Sequence, residues 1–83
     1  MPVRMIFDKN LLGIDYRVYG CMLHAIENDE RMVNVTDVAK ALSNKLNESE
    51  DKIYTSLGRL QRQKYINQVE DDNFDFVIEI LDE

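Results

Sequence analysis

The stretch that most constrains how this chain folds runs from Val35 to Ile66, VTDVAKALSNKLNESEDKIYTSLGRLQRQKYI. Thr36 suits the cap of a short helix over residues 36–43 that turns Val38, Ala39 and Leu42 toward a core. Asn47 stands three residues before Glu50, close to a capping box with Asn in place of Ser or Thr, and predicts a second helix over 47–63. Within it Ile53, Leu57, Leu60 and Lys64 recur at spacings of four, three and four, one face of a helix. Two helices joined by the short connection Ser43 to Glu48 are therefore expected at the centre of the chain.

The flanking segments complete the pattern. Val3 to Phe7 reads as a short N-terminal strand, with Val3, Met5 and Phe7 on one side and Ile6 on the other. Leu11-Leu12-Gly13 is an apolar connection, and Asp15 is a good cap for a helix over 15–28. Tyr19, Met22, Leu23 and Ile26 give that helix its apolar stripe, and Arg31 to Val35 is an extended link able to pair as a small strand. After the helix pair, residues 66–81 have the pattern of a β-hairpin. Asp71-Asp72-Asn73 forms its turn, and Phe74, Phe76, Ile78 and Ile80 line one face of the second strand.

A helix, a helix-turn-helix and a hairpin in that order describe a winged helix, so the predicted fold is α+β in a single domain over 1–83. The hydrophobic spacing V-T-x-V-A-x-x-L followed by I-Y-x-x-L-x-x-L-x-x-x-x-Y-I resembles the winged helix-turn-helix superfamily. It is most similar to the small bacterial and phage domains of transcriptional regulators and replication initiators, over about residues 3–81. The resemblance implies a DNA-associated regulatory protein of a phage or mobile element, with the 47–63 helix as the reading helix. The chain departs from the pattern at Lys64, where such domains often carry a Gly before the pair that enters the wing, and in its longer inter-helix connection.

Charge qualifies that implication. The chain carries a net charge of −6, opposite to the basic face expected of a nucleic-acid binder. The balance is local, however. Residues 40–64 hold six basic and three acidic side chains, a balance of +3, whereas residues 67–83 hold seven acidic side chains and no basic one. Exposed charges are screened within about 8–10 Å in physiological salt, so the local sign governs encounter.

With Ile53, Leu57 and Leu60 inward, Thr55 and Arg59 face outward toward base edges, and Lys52 and Arg62 toward phosphates, with Lys45 helping from the connection. The entrance of this helix carries Glu48, Glu50 and Asp51, which favour the helix dipole and repel phosphate. Gly58 is a mid-helix glycine on the outward arc. The wing tip holds Glu70, Asp71, Asp72 and Asp75, so it is either a solubilising turn or a docking surface for a protein partner. That second possibility defines an alternative: a protein-interaction module on a winged-helix scaffold, with weak or no DNA binding.

Catalysis, metals and cofactors find no support. Cys21 and His24 lie three apart, but no further Cys or His completes a metal site, and no group orients the pair for nucleophilic chemistry. One cysteine fits a reducing cytosol, and no apolar run reaches the roughly 20 residues of a membrane span. A cytoplasmic binding protein is expected. Its partners would be double-stranded DNA or a protein, and a homodimer would use the first helix, the N-terminal strand or the hairpin edge.

Overall fold

The computed structural model describes residues 2–28, 32, 34–70 and 76–81. Its order is α1 (Val3–Ile6), α2 (Gly13–Glu27), α3 (Val35–Leu46), α4 (Glu50–Arg62), β1 (Ile66–Glu70) and β2 (Phe76–Ile80). Three helices enclose the core and a two-stranded antiparallel hairpin follows, the layout of a winged helix. The expected wing turn at Asp71-Asp72-Asn73, with Phe74 and Asp75, lies outside the described residues.

The N-terminal strand is a correction. Val3–Ile6 is one helical turn, and its Met5 is fully buried. A short apolar segment becomes a strand only where a sheet edge receives it. Here the segment lies against the end of α4 instead. Arg4 donates to the carbonyls of Gln63 (3.3 Å) and Lys64 (3.1 Å), its guanidinium lies 4.1 Å from the Tyr65 ring centroid, and Tyr16 donates to the Met5 carbonyl (2.6 Å).

In α2, Leu12 occupies the N-cap position and Asp15 sits three residues on, its carboxylate accepting the Leu12 N–H at 2.8 Å. Asp15 is thus an interior residue of the first turn rather than the cap. The buried face comprises Val18, Tyr19 and Met22, while Leu23 is half-buried and Ile26 is exposed, so the stripe is rotated toward Asp15.

α3 has Asn34 (φ 64°), not Thr36, at its N-cap position and runs three residues beyond the expected end, because Leu46 continues the apolar face set by Ala39 and Leu42. Asn47, in the left-handed conformation (φ 54°), closes α3 rather than opening α4. Ser49 caps α4, accepting the Lys52 N–H at 3.3 Å. The connection is therefore Asn47 to Ser49, shorter than its sequence suggested and typical of a helix-turn-helix.

Ile53, Leu57 and Leu60 are buried as expected. Lys64 is not on that face. It follows the helix at φ 67°, the left-handed position a glycine would suit, and the Tyr65 N–H closes back on the Leu60 carbonyl at 2.9 Å. β1 and β2 pair Ile66 with Ile80 and Gln68 with Ile78. The Ile78 N–H reaches the Met32 carbonyl at 3.0 Å, so Met32 meets the outer edge of β2.

Candidate nucleic-acid interface

The helix-turn-helix is held in place from the first turn of α2. Asp15 is fully buried, and a buried carboxylate persists only when its oxygens are met by donors. Ser56 donates to Oδ1 at 2.6 Å, Arg59 donates from Nε to Oδ2 at 2.8 Å and from Nη2 to Oδ1 at 3.0 Å, and the Leu12 N–H completes the set. Burial pushes the carboxyl up, yet Arg59, the Leu12 N–H and Ser56 together hold it below its usual 3.8. Asp15 in turn pushes Arg59 further toward its protonated form.

Arg17, one residue pair along α2, reaches the end of α3. Its Nη2 donates to the Leu46 carbonyl at 3.1 Å and its Nη1 lies 3.8 Å from Glu48. Glu48 also faces Lys52 at 3.5 Å. Asp15 and Arg17 thus fix both α4 and the turn before it.

This arrangement sorts the residues that sequence spacing assigned to DNA. Lys45, Lys52, Thr55 and Arg62 are exposed. The Thr55 hydroxyl donates to the Asp51 carbonyl at 2.9 Å, and the residue lines the groove between α2 and α4. Arg59 differs from the others: its side chain is only 21 % exposed and its charge is met by Asp15. Its placement is that of a strut between α2 and α4. Glu50 and Asp51 are exposed at the entrance of α4, and Glu70 is exposed at the end of β1. Asp71, Asp72 and Asp75 lie outside the described residues.

A groove of about 640 Å³ runs between α2 and α4. Leu12 and Ile14 form an apolar wall, and Arg17, Glu48, Asp51 and Lys52 face it with charges of both signs. A smaller groove, about 330 Å³, lies between α2 and the end of α3 and contains Cys21, His24 and Lys45. Asn28 Nδ2 lies 3.2 Å from a ring nitrogen of His24 and donates to its carbonyl at 2.8 Å. Among the described residues, no group of three or more His, Cys, Asp and Glu side chains is placed to hold a metal ion, and no helix is long and apolar enough to cross a membrane.

Asp15, Arg17 and Ser56 were not singled out as functional in the sequence. Ser56 carried a signal, because it falls between Ile53 and Leu60 on the inward face, where a hydroxyl requires a partner. Asp15 carried none, since its partners are 41 and 44 residues away. No protein-family model, curated protein or solved structure matches the chain.

Proposed function

We propose that the chain is a small DNA-associated regulatory protein related to the winged helix-turn-helix superfamily, working as a binding protein rather than an enzyme in the cytosol of a phage- or mobile-element-bearing host. The observation that carries this reading is the helix-turn-helix itself: α3, a short turn and α4, followed directly by a hairpin. In this reading Lys45, Lys52 and Arg62 anchor phosphates, and Thr55 supplies limited contact to bases. Arg59 leaves the base-reading set and serves as a positioning residue through Asp15.

A second reading is favoured by a separate observation. The exposed acids Glu50, Asp51 and Glu70 flank α4 and the wing, and the one inward-leaning arginine is already neutralised. On that reading the fold is a protein-interaction module, docking a partner through Glu70, Asp71, Asp72 and Asp75.

Fluorescence anisotropy of a labelled duplex at about 50 mM salt separates the two. Salt-sensitive binding that is lost in the Lys52→Ala/Arg62→Ala double variant supports the first reading. An unchanged anisotropy with the wild-type protein ends it. Replacing Asp71, Asp72 and Asp75 with Asn strengthens DNA binding under the first reading, by removing repulsion, and weakens partner capture under the second.

A further inference from the structure

Six large apolar side chains are exposed among the described residues, and four of them, Val3, Ile6, Phe7 and Leu12, fall within one stretch of ten. Single exposed apolar residues are ordinary on a protein surface, and a group of them is not. Val3 stands three residues before Ile6 and four before Phe7, so these three share one face of the α1 turn. Leu12 adds apolar surface at the N-cap of α2. Each of the four is more than half exposed. Together they leave on the order of 400 Å² of apolar surface in water, a size at which a patch on a monomer is often functional.

This ridge is held in place from beneath. Met5 is fully buried, and its carbonyl accepts the Tyr16 hydroxyl. Arg4 donates to the carbonyls of Gln63 and Lys64, and Asp8 accepts the Tyr65 hydroxyl. These contacts already fix the turn, so its apolar outer face adds nothing to the fold that carries it. They also order the ridge before anything meets it, which lowers the cost of association. Charge then selects what meets it. Residues 2–12 hold Arg4 and Lys9 against Asp8, a balance of +1. Residues 67–83 hold seven acids and no base, and residues 40–64 stand at +3, so two copies repel when either of those segments faces itself. The ridge is apolar with both signs at its flank, and a copy meets it without that penalty. The net charge of −6 disfavours an anionic membrane as the occupant.

We infer that the ridge of Val3, Ile6, Phe7 and Leu12 is the contact between two copies of this chain, packed face to face about a two-fold axis. Two such ridges with their polar flanks bury on the order of 1,000 Å² in total, the low end of a specific interface. The dimer is therefore weak and forms with rising concentration. The inference rests on neither functional reading, because none of the side chains assigned to DNA or to the wing belongs to the ridge.

Sedimentation velocity of the whole chain from about 5 to 500 µM tests this, with the sedimentation coefficient rising from that of a monomer toward that of a dimer. Phe7→Asp weakens self-association about tenfold or more, whereas Ile26→Asp, the same change of charge at an exposed residue near the far end of α2, alters it less than about threefold. Val3→Ser/Ile6→Ser removes apolar surface at constant charge and also weakens it about tenfold, which separates lost burial from added repulsion. All of these positions are exposed, and thermal melts at the lowest concentration verify that each variant folds. Raising salt from about 100 to 500 mM leaves the dimer in place, because burial of apolar surface is not screened. A monomer at every concentration overturns the inference, whatever other protein takes the face. So does a dimer that the added salt dissolves, or one that Phe7→Asp and Val3→Ser/Ile6→Ser leave unchanged.

Discussion

Two polar clusters hold α4, one at its middle and last turn and one just past its C-terminus, and they are built on different physical terms. At the α2 side, Asp15 is wholly removed from water and meets Ser56, Arg59 and the Leu12 N–H. At the far end, Asp8 stays near solvent and accepts the Tyr65 hydroxyl at 2.7 Å, while Arg4 closes the carbonyls of Gln63 and Lys64. The buried cluster gains little over an apolar replacement but loses heavily when one partner is removed, because a charge is then stranded. In the outer cluster Asp8 and Arg4 can exchange lost bonds for water, although the Tyr65 ring itself is buried. The comparison teaches that the helix is aligned from α2 and only trimmed from the N-terminus.

The strongest way to break the comparison is Arg59→Ala. It leaves the Asp15 carboxylate buried without its cation and lowers unfolding free energy by about 3–5 kcal/mol in urea titration. A loss below about 1 kcal/mol, the range of an exposed pair, refutes the assignment of Arg59 as a buried strut.

pH sharpens the contrast, because both clusters weaken in acid and only the outer one also weakens in alkali. Asp15 and Asp8 both titrate below 3.8 in the folded protein, so their contribution is present above that value and is lost as pH falls through the folded range. Tyr65 is pushed up from 10.0 to about 12, by burial first and then by its bond to Asp8. Its contribution is complete below pH 10.0 and is lost as pH rises toward about 12. Tyrosinate absorbance at 295 nm reads the alkaline step. Tyr65→Phe removes that step and lowers the melting midpoint by less than Arg59→Ala does; an equal or larger fall contradicts the ranking of the clusters.

Smaller effects test the positions between the clusters. Gly20→Ala and Gly58→Ala each raise stability by about 0.8–1 kcal/mol, since no contact opposes the added methyl. Lys64→Gly relieves a left-handed lysine and raises the midpoint slightly; a decrease in a thermal melt shows instead that the lysine stem contributes packing at the α4 end. At the bottom of the scale, Lys52→Ala removes an exposed i,i+4 pair with Glu48 and changes stability by less than about 0.5 kcal/mol.

The exposed side chains of α1 belong to the same contrast. Val3 is 70 % and Phe7 76 % exposed, while Met5 between them is buried. The turn is held by Met5 and by Arg4, not by its apolar outer face. The side assignment that predicts a strand here does not describe two faces of a sheet, because Val3–Ile6 is a helical turn.

What the sequence determined by itself was everything carried by contacts three or four residues apart along a helix or opposite each other across a hairpin. The inward face of α4, the apolar positions of α3 and the presence of two strands after α4 all follow from period, whereas the register that pairs Ile66 with Ile80 does not. Tertiary structure decided which polar residues were spent on the fold. Asp15 reads as a helix cap from its neighbours, and Arg59 as an outward cation from its helix, and both readings are locally sound. Only packing α2 against α4 brings a carboxylate and a guanidinium 44 residues apart to 2.8 Å, and desolvation then makes that pairing obligatory. The same packing left Lys52, Thr55 and Arg62 outward beside an open Gly58.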